Sequence, residues 1–337
     1  MIPAGGPAVS TVRGDIGVDQ LGTVLSHEHI FVKNPEFHAN FPDMWDPAAG
    51  VELAARQLEE AYDAGVRTVV DMTVIGQGRD PALIAAVAAR TRVNIVLATG
   101  LYVLDGLPQI VRYRGPGTMV EQPDPIVDLL EREVREGIAG TGARAELVKF
   151  ACEHPEPDDT VRRVAAAVAE VYRRTGVPVV AHIEPALPNA LPVLELLADL
   201  GVPPTQVVLA HAGDITDPGY LAAVAESGAY IGCDRFGLAP FVPEDTRLAT
   251  VLALLEAGRG DQALLSHDCP SFIDHQPAEL RAAIAPDWTL THLHRSVLPA
   301  LRRRGVTDEQ IDVLMRVNPA RLLTSAHVAR EVVDVAG

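Results

Sequence analysis

Lysine is almost missing from this chain: of 28 basic residues only Lys33 and Lys149 are lysine, and all the others are arginine. Genomic mutational pressure accounts for such a bias in general, so a lysine that persists raises the question of what arginine cannot do in its place. Cysteine is scarce as well. Cys152, Cys233 and Cys269 stand far apart with no CxxC pair, which speaks against a disulfide framework and against a cysteine zinc site. Long apolar runs are absent too. Hydrophobic residues make up 48% and mean hydropathy is +0.14, yet no stretch approaches the roughly 18 apolar residues that span a bilayer, and a soluble chain is expected. Residues 1–7 contain no basic stretch leading into an apolar one, so no signal peptide is visible and a cytoplasmic location is expected. Positive charge is also short. A net charge of -17 and a pI near 5.0 oppose binding to phosphate backbones or anionic lipid. Neither nucleic acid nor a membrane is an expected partner.

What the chain does have is alternation. Eight strand-like apolar runs lie at 24–30, 68–74, 94–100, 145–150, 178–183, 206–212, 229–234 and 263–268. Helical stretches follow them at 51–64, 81–90, 124–137, 158–175, 189–200, 218–227, 244–257 and 290–303. The runs are apolar throughout, as parallel strands buried on both faces are. An eightfold βα repeat in 337 residues predicts an α/β fold of the (β/α)8 TIM-barrel type, with the barrel over about 24–305 and one domain over 1–337. A doubly wound sheet is the alternative, but no GxGxxG follows the first strand. A short N-terminal β-hairpin is expected over 9–18 and C-terminal helical turns over 308–323. The longest irregular stretches, 101–122 and 269–289, follow strands three and eight, and loops of that length are usually functional or mobile.

Active sites of such barrels sit at the C-terminal ends of the strands. His27 and His29 are placed at the end of strand one, Lys149 at strand four, His182 at strand five, His211 at strand six and Asp268 at strand eight. In a strand His27 and His29 share one face and Glu28 takes the other. Any one of these histidines alone reads as an ordinary core residue, but together they point to a metal site. The donors are nitrogen and oxygen, which suits Zn²⁺, Co²⁺, Mn²⁺ or Fe²⁺. Four imidazoles and a carboxylate exceed the needs of one tetrahedral zinc. Two divalent metal ions fit better, one held by His27, His29 and Asp268 and the other by His182 and His211. Lys149 then supplies the bridge, because a neutral amine adds CO₂ to give a carbamate with two oxygens and a guanidinium does not. A surface lysine or a Schiff-base lysine remains the alternative for Lys149. His267 is expected to face away from the site, and His38, His275, His292, His294 and His327 to be exposed or structural.

The ordered elements His27-Glu28-His29, Leu147-Val148-Lys149, 176–182 ending in His182, His211-Ala212-Gly213-Asp214, Ser266-His267-Asp268 and Asn318-Pro319-Ala320-Arg321 resemble the phosphotriesterase family of the amidohydrolase superfamily, over about 11–323. The resemblance implies a TIM barrel, a binuclear centre and a carboxylated lysine at the positions above. Within that family Cys233-Asp234-Arg235-Phe236-Gly237 is similar to the phosphotriesterase-like lactonases, whose strand-seven loop is short and carries an arginine. Tyr102 resembles the lactonase tyrosine near the nucleophile, with a rim-packing aromatic as the alternative. Residues 183–188 after His182, and Cys152-Glu153-His154 after the lysine, depart from the family pattern and bear on substrate choice.

The implied activity is opening of lactones, acyl-homoserine lactones first, with weaker phosphotriesterase activity. Asp268 would take a proton from the attacking water and pass it to the leaving oxygen, while Tyr102 and Arg235 would orient the ring ester. A small-molecule lactone or ester is the expected partner, and a homodimer the expected assembly. A dedicated organophosphate or other ester hydrolase of the same family is the nearest alternative. A Schiff-base aldolase using Lys149 and a non-enzymatic metal-binding protein are the alternatives of other classes.

Overall fold

Helices in this chain start with one recurring device, an Asp or Asn followed by proline. Asn34, Asp46, Asp80, Asp124 and Asp217 each accept hydrogen bonds from backbone N–H groups of the turn that follows, with proline at the first helical position. The carboxylate or amide satisfies a donor that the helix leaves free, and proline's missing N–H costs nothing there. Each cap contributes about 1 kcal/mol. The chain therefore turns from loop to helix at positions its sequence dictates.

The computed structural model describes residues 7–103 and 106–325. Strands β1 (Ala8–Thr11) and β2 (Gly14–Gly17) form an antiparallel hairpin. There follow β3 (Val24–Val32), β4 (Thr68–Asp71), β5 (Asn94–Leu101), β6 (Ala145–Cys152), β7 (Val179–Ile183), β8 (Val207–Ala210), β9 (Tyr230–Cys233), β10 (Ala263–Leu265) and β11 (Pro270–Ile273). These pair in parallel in the order β10-β9-β8-β7-β6-β5-β4-β3-β11. The sheet closes through the stretch after β10: Asp268 N donates to His27 O at 3.0 Å, His29 N to Cys269 O at 3.2 Å, and β11 then runs beside β3 with Phe272 opposite Phe31. The TIM barrel expected from the sequence is thus the fold.

Alternation along the strands separates two cores. Val24, Val70, Val96, Leu147, Val180, Val208 and Leu264 fill the barrel, while Leu25, Val69, Ile95, Val148, Val179 and Leu209 pack outward beneath the helices. Val9 and Leu21 plug the bottom together with Leu322 and Leu323. Arg13 locks the hairpin there, donating to Ala88 O and Thr91 O at 2.6 Å each and to Val93 O at 2.9 Å.

Three details differ from the sequence expectation. The stretch 269–289 is not irregular throughout, since it contains β11 and a helix, Ala278–Ile284. A short helix, Gln109–Arg112, likewise lies in the connection after β5. The helix placed at 290–303 begins as a π-helical turn, Leu293–Val297, before Leu298–Arg303. No helix among the described residues is long and apolar enough to cross a membrane.

Candidate active site

Period-two alternation also decides which polar side chains reach the interior. Leu147 points into the barrel, Val148 out, and Lys149 in again, where it is buried. Val180 and His182 repeat this on β7. Gly100 lies opposite Lys149 in the register of β5 and β6, at φ +144°, and a Cβ there would stand 1.9 Å from Lys149 O. Only glycine lets the two backbones approach so closely.

Strand ends are less tidy than the sequence suggests. β3 continues past His29 to Val32 because β11 pairs with it, and β6 continues past Lys149 to Cys152 against Ile183. His211 and Asp268 lie just beyond β8 and β10. Both have left-handed backbones, φ 70° and 54°, and Ala139 is the one other non-glycine residue with positive φ among the described residues. Such a conformation costs an L-residue roughly 1–2 kcal/mol, so surrounding bonds must hold it.

The expected site residues converge on Asp268. Its carboxylate lies 3.2 Å from His29 Nε2, 3.5 Å from His27 Nε2, 3.8 Å from His211 Nε2 and 3.3 Å from Arg235 Nε. Lys149 Nζ is 3.3 Å from His27 Nε2, and His182 Nδ1 is 2.9 Å from His211 Nε2. Tyr102 OH stands 3.4 Å from His182 Nε2. The site floors a cavity of about 820 Å³ whose walls include Leu107, Leu238, Phe241, Ile273 and Trp288.

Each imidazole has one nitrogen facing inward and the other tied to an acceptor. Asp234 takes His27 Nδ1 at 3.0 Å and His211 Nδ1 at 2.8 Å. Glu153 takes His182 Nε2 at 3.0 Å. Thr73 Oγ1 takes His29 Nδ1 at 2.8 Å while donating to Asp71 Oδ1 at 2.6 Å. An acceptor at the outer nitrogen holds the proton there and leaves a lone pair on the inner one. His182 Nδ1 and His211 Nε2 thus aim two lone pairs at one another, an arrangement that repels unless a cation lies between them or one ring takes a proton. Burial lowers the pKa of His29 and His182 and lowers that of His211 strongly, so protonation is the disfavoured remedy. The donor set therefore fits divalent metal ions.

Charges around the rings fit the same picture. Burial alone would raise the Asp268 carboxyl, but His211, His29, His27 and Arg235 hold it well below its usual range. The same opposition, with His211 and His27 prevailing over burial, holds Asp234 far below its own. Burial lowers Lys149 to about 8, against the pull of Asp268, Asp234 and Asp71. Burial and then Glu153 push the Tyr102 phenol far up, keeping it a donor.

Four side chains enter the site in roles that the sequence did not assign to them. Asp234 lies on the interior file Tyr230–Gly232–Asp234, and a Cβ on Gly232 would come within 2.5 Å of its Oδ2. Glu153 lies on the Lys149 file, four residues on. Thr73 and Asp71 stand at the end of β4. Strand parity was the available signal for the first two. His267 faces away, with Nδ1 at Glu28 and Nε2 accepting from Leu293 N at 3.0 Å. His38 meets Asp274, and His292 meets Glu244 at 2.6 Å; His327 lies outside the described residues. One further donor cluster, His27, His211 and Asp234, is the hydrogen-bond network just described, because both rings turn Nε2 away from Asp234.

Comparison with known proteins agrees with this geometry. The model of the phosphotriesterase family matches residues 7–323. A phosphotriesterase homology protein of Mycobacterium tuberculosis is 40% identical over 317 residues, covering 94% of this chain and 97% of that protein. An aryldialkylphosphatase of Saccharolobus solfataricus is 32% identical over 314 residues, covering 93% and 98%. The solved structure of the phosphotriesterase from Mycobacterium tuberculosis superposes with a TM-score of 0.91 at 40% identity, covering 94% of this chain and 98% of that one. With barrel, donor set and nearly full-length similarity in agreement, the chain belongs to the phosphotriesterase family and is a metal-dependent hydrolase.

Proposed function

We propose that this hydrolase opens lactones, acyl-homoserine lactones among them, and hydrolyses phosphotriesters more slowly. His27, His29 and Asp268 would hold one divalent ion and His182 and His211 a second, with zinc the best match to the nitrogen and oxygen donors and cobalt, manganese or iron able to replace it. Bound as a pair, the ions supply Lewis acidity and an activated water at neutral pH.

The chain's own residues do the rest. Lys149, lowered to about 8 by burial, presents a larger neutral fraction near neutral pH than an ordinary lysine does. Its amine would add CO₂ and release one proton, giving a carbamate that would offer the site two further oxygen donors. Asp268 accepts the proton of the attacking water and hands it to the leaving oxygen. Arg235 and Tyr102 approach from two different loops and orient the ring ester, and the apolar walls take the acyl portion.

The observation that carries the lactone reading is the placement of Arg235 and Tyr102 beside Asp268 and His182, at 3.3 Å and 3.4 Å, at the floor of an apolar-walled cavity. A guanidinium donor on one side and a phenol ring on the other suit a planar ester ring. Steady-state kinetics on a lactone panel and on paraoxon, with metal content measured on the same preparation, test it. A preference for lactones with close to two ions per chain is expected. A preference for paraoxon overturns the substrate assignment.

A further inference from the structure

Cys152-Glu153-His154 carries the chain off the end of the lysine strand, and the mechanism above leaves Glu153 without a task. One of its oxygens, Oε1, lies 2.8 Å from Tyr102 OH and 3.0 Å from His182 Nε2. The tyrosine hydroxyl is itself 3.4 Å from that same nitrogen, and the two rings meet edge to face with centroids 5.1 Å apart. One acceptor atom therefore serves a substrate-facing phenol and a metal-facing imidazole at once.

We propose that Glu153 is a positioning residue that couples substrate orientation to the metal site: a single carboxylate oxygen fixes the Nε2–H form of His182 and holds the Tyr102 hydroxyl away from that nitrogen. The proposal rests on reading His182 as a metal ligand and Tyr102 as a substrate contact. Neutral imidazole carries one ring proton, and the acceptor it meets selects the nitrogen that keeps it. With Glu153 in place the proton stays on Nε2 and Nδ1 offers its lone pair toward His211. Without Glu153 the phenol loses its acceptor and turns to the nearest one, His182 Nε2. A phenol donating to Nε2 moves the imidazole proton to Nδ1, the nitrogen that faces the centre. The carboxylate thus keeps two neighbouring groups from spoiling one another.

A second substitution, at Tyr102, should repair the first, at Glu153. Zinc affinity is measured by chelator competition on metal-stripped wild type, Glu153→Ala, Glu153→Gln, Tyr102→Phe and the Glu153→Ala/Tyr102→Phe double variant. Long-range ¹H–¹⁵N spectra of the metal-free proteins report the His182 tautomer, and kcat and KM are read on an acyl-homoserine lactone. Glu153→Ala should weaken binding of the second zinc by roughly 10- to 100-fold, the usual effect of removing such a partner, and shift His182 toward Nδ1–H. Glu153→Gln retains an accepting oxygen and should lose less. Tyr102→Phe alone should leave zinc affinity unchanged, and when added to Glu153→Ala it should restore most of that affinity while KM stays raised. Glu153→Ala retaining both zinc affinity and the Nε2–H form, or a double variant no tighter than Glu153→Ala, overturns the proposal alone. A wild-type chain that takes up no zinc overturns the metal-site reading and this proposal together.

Discussion

Glu28 Oε1 receives His267 Nδ1 at 2.6 Å, across 239 residues of chain. The same carboxylate accepts from Ser266 Oγ at 2.7 Å, His267 N at 3.0 Å and Cys269 N at 2.9 Å. Glu28 lies on the opposite face of β3 from the paired histidines, so a single strand supplies two site residues inward and, outward, the anchor for the stretch that carries Asp268. That anchor explains how Asp268 keeps its left-handed backbone.

Glu28→Gln keeps the shape but turns an amide toward donors that need an acceptor. Leaving one or two buried donors unsatisfied costs roughly 1–3 kcal/mol each, so a loss of about 3 kcal/mol in urea unfolding is expected. A shift of Asp268 by about 1 Å should lower kcat roughly a hundredfold. Wild-type stability together with wild-type kcat would show that Asp268 is held by something else.

Asp234 serves two rings at once, His27 and His211. Asparagine offers one accepting oxygen in place of two, so Asp234→Asn leaves one imidazole facing an NH₂ donor. Zinc affinity should fall roughly 10- to 100-fold, measured by competition with a chromophoric chelator. Unchanged affinity would show that packing alone orients the rings.

Lys149 gives a pH prediction with a definite sign. Carbamate formation needs the neutral amine, and burial lowers this lysine to about 8. Reconstitution of metal-free protein with zinc and a fixed concentration of dissolved CO₂ should therefore speed up as pH rises toward 8 and level off above it. Below 8 the rate should fall close to tenfold per pH unit. Lys149→Ala should be inactive and partly rescued by a short-chain carboxylate, and Lys149→Arg inactive despite its charge. An active Lys149→Arg enzyme holding two ions would rule the carbamate out.

The barrel was legible because each strand had to be apolar on both faces, and His27, His29, Lys149, His182, His211 and Asp268 stood out as polar residues on or just beyond those apolar runs. Asp234 and Glu153 were less visible. Glu153 lies past the hydrophobic run of its strand and Asp234 closes its own, places where polar residues are ordinary, and their partners come from other strands. Thr73 looks like one more β-branched strand residue until its hydroxyl is seen between Asp71 and His29. The strand β11 was hidden because Pro270-Ser271-Phe272-Ile273 is short and begins with proline, acceptable where a strand starts.

Substrate choice provides the last test. A paired-metal centre that polarises an oxygen and activates water acts on a carbonyl or a phosphoryl centre alike, so discrimination falls to the groups that place the substrate. Arg235 Nε reaches Asp268 at 3.3 Å, and its guanidinium lies 5.6 Å from the exposed Phe241 ring. Tyr102 approaches from β5 and faces His182. A flat lactone ring presents one carbonyl to both side chains, whereas a tetrahedral phosphotriester presents bulk in their direction. Tyr102→Phe and Arg235→Ala should each cut kcat/KM for lactones by roughly ten- to a hundredfold, the cost of a misplacement of about 1 Å, and change paraoxon hydrolysis less. Metal content measured alongside separates orientation from loss of the centre. Equal losses on both substrates at unchanged metal content would show that these side chains serve the chemistry common to both and do not select the lactone.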